Sequence, residues 1–119
     1  MNHSQVNPEL INLVRQTRKK SFETKAAIWH RLTETLSKPK RRRIAVNLSR
    51  VSRHTKAGET VVVPGKVLGT GKLDHPIKIA ALQFSKQAQQ KIVQAEGICM
   101  TITELMKKNP KGSGIKIIR

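Results

Sequence analysis

The stretch TVVVPGKVLGTGKLDHPIKIAALQF, residues 60–84, decides the fold of this chain. It begins with Thr60 and three consecutive valines, a β-branched run typical of a strand, and Pro64-Gly65 is expected to stop that strand. The run PIKIAALQF, residues 76–84, predicts a second strand. The glycines and lysines between the two runs predict a loop whose bare backbone can approach another surface closely.

Helical and strand-like segments alternate after this stretch. Ser85 is expected to cap a helix that carries Ala88, Ile92 and Ala95 on one side and stops at Gly97.

The C-terminal segments continue the alternation. Residues 98–102 predict a short strand, Thr103 opens a helix that Pro110 closes, and KGSGIKII joins a basic glycine loop to a strand-like end. From residue 60 the order is strand, loop, strand, helix, strand, helix, strand. This order favours an α/β layer with much of its sheet parallel.

A basic helical pair is expected before this body. The first helix begins at Asn7-Pro8-Glu9, has an apolar stripe and ends in a group of cations. Ser21 is expected to cap the second helix, in which Trp29 lies on the buried face, and Pro39 ends it. A chain of 119 residues is most simply one domain. Its parts are then a helical pair (7–37), a basic segment (38–59) and an α/β body (60–119).

The charge of the chain implies a polyanionic partner. Its 24 Lys+Arg and 7 Asp+Glu give a net charge of +17, and such a density of like charge opposes compaction unless a polyanion takes up the field. Residues 1–56 contribute +11 and residues 57–119 contribute +6.

The strongest basic cluster is KPKRRR, residues 38–43, and the sequence from Thr35 to Gly58 holds no carboxylate to neutralise it. A short strand at residues 44–46 and a short helix at residues 47–53 are expected to follow, and the helix presents Arg50 and Arg53 together.

The sequence contains no motif for catalysis or for metal binding. The glycine stretch fails the phosphate-binding-loop pattern, because five residues rather than four separate Gly65 from Gly71 and Leu73 follows Lys72. The four histidines are dispersed, Cys99 has no cysteine partner, and the carboxylates are isolated. We therefore expect no enzymatic activity, cofactor, metal or small-molecule substrate.

Several kinds of polyanion could match this charge. A bilayer is disfavoured because no apolar run could span it and no amphipathic segment joins a bulky apolar face to the basic cluster. The N-terminus lacks the apolar core of a secretory signal, so we expect a soluble, cytoplasmic protein. Three aromatic residues are few for base stacking, and a helix-turn-helix would place its main basic group beyond its reading helix. The backbone of folded RNA fits best, and a DNA or chromatin architectural protein is the alternative. A weaker third possibility is an RNA-acting enzyme or assembly factor.

Six motifs in unbroken order carry a resemblance: NPEL, KAAIW, KPKRRR, VNLSRVSR, TVVVPGKVLGTGKLDH and KNPKGSGIKIIR. They resemble the eighteen-e family of large-subunit ribosomal proteins of archaea and eukaryotes, which is related to bacterial large-subunit protein fifteen, and the length resembles the archaeal form. The resemblance implies a fold of the irregular β-β-α superhelix type. It also implies a structural role in the large ribosomal subunit, in contact with its rRNA and with neighbouring ribosomal proteins.

The family motifs, carried over position by position, predict the RNA contacts. The main phosphate contacts are expected at Lys38, Lys40, Arg41, Arg42 and Arg43. Polar and basic residues expected to continue that surface are Asn47, Ser49, Arg50 and Arg53. A second set, expected on loops, comprises Lys66, Lys72, Lys111, Gly112 and Gly114.

Overall fold

The computed structural model describes residues 8–38 and 44–119, which form a parallel sheet with helices on both faces. The helices of these ranges are α1 (Pro8–Thr24), α2 (Ala27–Ser37), α3 (Leu48–Arg53), α4 (Lys86–Gln94) and α5 (Ile102–Lys108). The strands are β1 (Ala45–Asn47), β2 (Thr60–Leu68), β3 (Lys78–Phe84), β4 (Ile98–Thr101) and β5 (Ile115–Ile117). The expected α/β fold is confirmed.

The nine-residue strand β2 organises the sheet. It pairs with β3 on one side, and β3 pairs with β4. On its other side β2 pairs with two short strands placed end to end, β1 against residues 66–68 and β5 against residues 60–62. All four pairings are parallel.

The prediction that Pro64-Gly65 stops this strand is wrong. The pairing of β2 with β3 shifts between Val63 and Lys66, so a bulge accommodates the proline, which has no N–H to donate. A glycine is required at position 65, because a Cβ there would overlap the backbone oxygen of Ile44. The strand therefore continues to Leu68, and Lys66 lies on a strand rather than on the loop predicted for it.

Alternation along β2 and β3 divides the apolar core between the two sheet faces. Val61, Val63 and Ile79 face α3 and α4, in a cluster that includes Val51 and Ile92. The opposite face carries a second cluster, against α2 and α5, whose members include Val62, Ala80, Trp29, Leu32 and Leu105. Helix α1 packs on this second layer, where the Thr33 hydroxyl donates to Thr17 Oγ1 at 2.9 Å.

The first helix is longer than predicted. Ser21 does not cap α2 but lies inside α1, because Thr17, Ser21 and Thr24 continue its inward-facing stripe. The break comes at Lys25, which adopts a left-handed φ of 57°. Residue Ala26 then occupies the N-cap of α2 without a side-chain hydrogen bond.

Helix α4 ends at Gln94, before the predicted stop at Gly97. Its cap, Ser85, accepts a hydrogen bond from Ala88 N as predicted, but the residue in the left-handed region is Glu96, with φ 64°. The N–H groups of Glu96 and Gly97 donate to Val93 O and Ile92 O in a Schellman arrangement. Gly97 is needed for another reason, since a Cβ there would lie 2.7 Å from Ile77 O.

Helix α5 begins with a capping box instead of at the predicted Thr103. Thr101 Oγ1 accepts from Glu104 N at 3.1 Å, and Glu104 Oε1 accepts from Thr101 N at 3.0 Å. The hydrogen bond from Thr101 N holds the pKa of Glu104 below its ordinary value. The hydrogen bond from Lys56 N, helped by Lys116, lowers the pKa of Glu59 in the same way.

These lowered pKa values predict a loss of stability in acid. The ordinary pKa of both carboxyls is 4.5, so their stabilising contribution is present above that pH and disappears as the pH falls through the lower folded-state values. We expect Glu104→Gln to reduce the fall in thermal midpoint between about pH 5 and pH 3, because the amide keeps an acceptor but does not titrate. Exposed Glu96→Gln is the control. An undiminished fall in Glu104→Gln would contradict the assignment.

Candidate nucleic-acid interface

Four of the predicted contact residues come together at the carboxyl ends of β1 and β2. Residue Asn47 pairs with Leu68, and Ser49 N donates to Thr70 O at 3.1 Å, which joins the start of α3 to the loop after β2. The side chains of Asn47, Lys66 and Lys72 are exposed in this region. Polar and cationic donors from a strand, a helix and a loop thus lie at one end of the sheet.

The loop at residues 69–72 is held against the body of the protein by Lys91. The Lys91 ammonium group donates to Gly69 O at 2.6 Å and to Gly71 O at 2.7 Å. Sequence reasoning missed this residue, because the donor and its acceptors lie 22 and 20 positions apart and no local pattern marks them. Lys91 fixes the backbone from which Lys72 projects.

The glycines of this loop approach the protein's own chain. A Cβ on Gly69 would lie 2.7 Å from Gln87 Cβ, and a Cβ on Gly71, whose φ is 91°, would overlap Ser49 Cβ. Their lack of side chains is therefore explained by packing against α4 and α3. Ser49 is half-buried at this contact and positions the loop.

Replacing Lys91 by methionine is expected to loosen this loop. The change removes two charge-assisted hydrogen bonds, and we expect the free energy of unfolding to fall by about 1–2 kcal/mol. Amide hydrogen exchange at Ser49, whose N–H donates to Thr70 O in this loop, should accelerate more than that of β3. Lys86→Met is a matched control, because Lys86 is an exposed lysine of the same helix. Unchanged protection of the Ser49 amide in Lys91→Met would contradict the proposed clamp.

Helix α3 carries the two arginines predicted to act together. Leu48 and Val51 are buried on its inner side, which leaves Arg50 and Arg53 exposed three residues apart. Arg50 Nη2 donates to Arg119 O at 3.1 Å, and its remaining N–H groups are available for bidentate contact with a phosphate.

Lys111, Gly112 and Gly114 lie at the opposite end of β2. They belong to the loop between α5 and β5, and β5 pairs with the first residues of β2. Eight strand steps of about 3.3 Å separate the two ends of β2 by roughly 26 Å. The structure therefore does not bring all predicted contact residues into one cluster.

The C-terminal loop is anchored on α2. Trp29 Nε1 donates to Pro110 O at 2.7 Å, and a Cβ on Gly112, whose φ is 68°, would overlap Ile28 Cγ2. A Cβ on the exposed Gly114, whose φ is 73°, would have no neighbouring atom within 4 Å. Lys111 is exposed beside this anchor.

Most of the basic run falls outside the described residues. Lys40, Arg41, Arg42 and Arg43 lie there, whereas Lys38 is exposed immediately after α2. On the other side of the run, Ile44 O accepts from Lys66 N at 3.0 Å. The chain thus re-enters the described fold beside Lys66, one of the predicted contacts.

An Asp–His–hydroxyl array, which sequence reasoning did not anticipate, follows Lys72. His75 Nδ1 lies 2.7 Å from Asp74 Oδ1, and His75 Nε2 lies 2.8 Å from Thr55 Oγ1. The hydrogen bond with His75 lowers the pKa of exposed Asp74. Thr55 is buried and its hydroxyl donates to Val51 O at 2.8 Å, which is the geometry of a structural tie between the loop and α3 rather than of a nucleophile.

Two kinds of feature are absent from residues 8–38 and 44–119. No three His, Cys, Asp or Glu side chains in these ranges are grouped as metal ligands. No helix in them is long and apolar enough to cross a membrane. Cys99 is half-buried beside the core, and burial raises the pKa of its thiol.

Known proteins match almost the whole chain. Residues 5–119 match the family described as ribosomal protein 60S L18 and 50S L18e. A large ribosomal subunit protein eL18 of Methanoregula boonei is 50% identical over 113 residues, which cover 95% of this chain and 93% of that protein. The eL18 of Methanothermobacter thermautotrophicus is 48% identical over 97% of this chain and 95% of its own length. The eL18 of Archaeoglobus fulgidus is 46% identical over 94% of this chain and 96% of its own length. The resemblance read from the motifs is confirmed: the chain belongs to the 60S L18 and 50S L18e family of ribosomal proteins.

Proposed function

We propose that the protein is a structural constituent of the large ribosomal subunit and binds the folded rRNA of that subunit through its basic surfaces. The observation that carries this proposal is the match of residues 5–119 to a ribosomal protein family. The net charge of +17 and the exposed cations at both ends of β2 support it.

The arrangement of the cations suggests how the protein acts. The first contact region comprises the run at residues 38–43 and four residues at one end of β2: Asn47, Ser49, Lys66 and Lys72. Arg50 and Arg53 on α3 extend it, and the loop at residues 111–114 forms a second region roughly 26 Å away. Two regions held by one rigid sheet let the protein fix the separation of two RNA segments while its charge offsets their mutual repulsion.

Selectivity in this mechanism comes from RNA shape. Phosphate contacts set register and orientation but carry no direct sequence information. Only an RNA fold that offers phosphates to both regions at their fixed spacing satisfies all the contacts. The role is architectural, without catalysis or a cofactor, and its setting is the cytoplasmic ribosome beside other large-subunit proteins.

Sedimentation of cell extracts tests the proposal directly. The full chain, carrying a small tag, should sediment with large subunits through a sucrose gradient at physiological salt and leave them at high salt as phosphate contacts are screened. Treatment with DNase should not release it. Recovery with chromosomal DNA, and absence from large subunits, would instead support the architectural role on DNA and overturn this proposal.

A further inference from the structure

An exposed phenylalanine stands on the outer face of α1. Phe22 is 76% exposed, whereas Trp29 is fully buried and Phe84 is packed against the core. Leaving such a ring in water forgoes the roughly 1.5–3 kcal/mol that burial of a large apolar side chain provides. The position therefore suits a side chain that is covered by a partner.

Cations surround this ring on the same helix face. Arg15, Arg18 and Lys19 precede Phe22 by seven, four and three residues, spacings that place them beside it on an α-helix. The one carboxylate of this group, Glu23, lies 3.6 Å from Lys20 Nζ. The partner must therefore offer both negative charge and a flat apolar surface.

Two surface concavities flank the ring and differ in charge. One, of about 330 Å³, is lined by Phe22, Glu23 and the three cations. The other, of about 370 Å³, lies between α1 and α2 and is lined by Arg18, Phe22, His30 and Glu34 among others. In the second concavity His30 Nε2 lies 3.6 Å from Glu34 Oε1, so positive charge dominates only the first.

We propose that this face of α1 binds an unpaired nucleotide of the rRNA, with its base stacked on Phe22. The phosphates on either side lie on the concavity of Arg15 and Lys19, and the uncharged base extends over Phe22 toward the concavity of Glu34. A nucleotide supplies the negative charge and the π face within one unit, as the surface requires. Arg18 lines both concavities and can contact either the base plane or a phosphate.

This inference rests on the proposed function and adds a contact that the basic motifs did not indicate. The small number of aromatic residues argues against stacking as the general mode of binding, so stacking is limited to one position, Phe22.

The first test measures binding of the full chain to protein-free large-subunit rRNA. Stacking of one base predicts that Phe22→Ala and Phe22→Leu each weaken binding roughly 5- to 150-fold, whereas Phe22→Trp retains it. The salt dependence should stay as in the wild type, because no charge is removed. Arg15→Ala with Lys19→Ala should instead flatten the dependence of log affinity on log salt by about 1.4 in slope, because both cations are placed on phosphates. Val93→Ala is the matched control, since Val93 is 65% exposed on α4, across the sheet from α1.

The second test identifies what covers the ring in the particle. With p-benzoylphenylalanine at position 22, irradiation of native large subunits should crosslink the protein to an rRNA nucleotide. A crosslink to a ribosomal protein would overturn the proposal and make this face a protein-docking surface. Equal binding of wild type and Phe22→Ala would also overturn it, with rRNA binding by the wild type still supporting the architectural function. Failure of the wild type to bind rRNA would count against both.

Discussion

Simultaneous replacement of Arg41, Arg42 and Arg43 by alanine is expected to weaken binding to large-subunit rRNA roughly 100-fold at about 0.15 M salt. Each phosphate contact releases condensed counterions, and three lost contacts change the slope of log affinity against log salt by about 2 to 2.7. The sequence holds no carboxylate between Thr35 and Gly58 that could pair with these arginines locally, so their charge is expected to be matched by RNA.

The comparison that isolates this effect is a second triple variant with the same change in net charge. Lys86, Lys107 and Lys108 are exposed and lie outside the predicted contacts. Their replacement by alanine should alter the slope much less. Filter binding or fluorescence anisotropy across a salt series gives both the affinity and the slope. The free energy of unfolding of the free arginine variant, measured by thermal unfolding, should stay within about 0.5 kcal/mol of wild type. An unchanged slope would move the principal contact away from residues 41–43.

Replacing Trp29 by alanine is expected to lower the free energy of unfolding by about 4–6 kcal/mol. The side chain is fully buried in the cluster between α2, α5 and the sheet, and removal of so large a group leaves a cavity that costs about 3–5 kcal/mol. The loss of the hydrogen bond from Nε1 to Pro110 O at 2.7 Å leaves a carbonyl without its partner, which adds about 1 kcal/mol. The free energy of unfolding of a domain this size is about 5–15 kcal/mol, so the variant would lose a large part of its total stability.

Phenylalanine at position 29 separates the two contributions. Trp29→Phe fills most of the volume but cannot donate to Pro110 O, and we expect a loss of about 1–2 kcal/mol. Because Trp29 is the single tryptophan, unfolding of the variants should be followed by circular dichroism in denaturant rather than by tryptophan fluorescence. A cost below about 1 kcal/mol for Trp29→Ala would contradict the burial of this side chain in the core, and a Trp29→Phe variant as stable as wild type would show that the hydrogen bond to Pro110 O contributes nothing.

Sequence patterns predicted the elements whose signals are local. The β-branched run at residues 60–63, the Ser85 cap and the apolar spacing of α4 each act within a few residues, and the structure confirms all three. The sharing of one side by Arg50 and Arg53 also follows from helical spacing alone.

Features that depend on distant parts of the chain could not be predicted in this way. Pro64-Gly65 reads as a strand stop until Ile44 is placed beside Gly65 and the bulge against β3 is known. The clamp by Lys91 and the exposure of Phe22 likewise depend on how helices dock, which periodicity does not encode. The assignment of the RNA contacts remains a prediction, and residues 40–43 within it lie outside the described ranges.

The neighbours of β2 have a consequence for the synthesis of the protein. Residues 60–62 of this strand are paired on one edge by β5, residues 115–117, which are translated after β1, β2, β3 and β4. A nascent chain that has already paired β2 with β3 still presents backbone donors and acceptors at residues 60–62 to any strand that meets them. This edge of the sheet is closed only after β5 has been translated, and until then the growing polypeptide is exposed to mispairing with other newly made proteins.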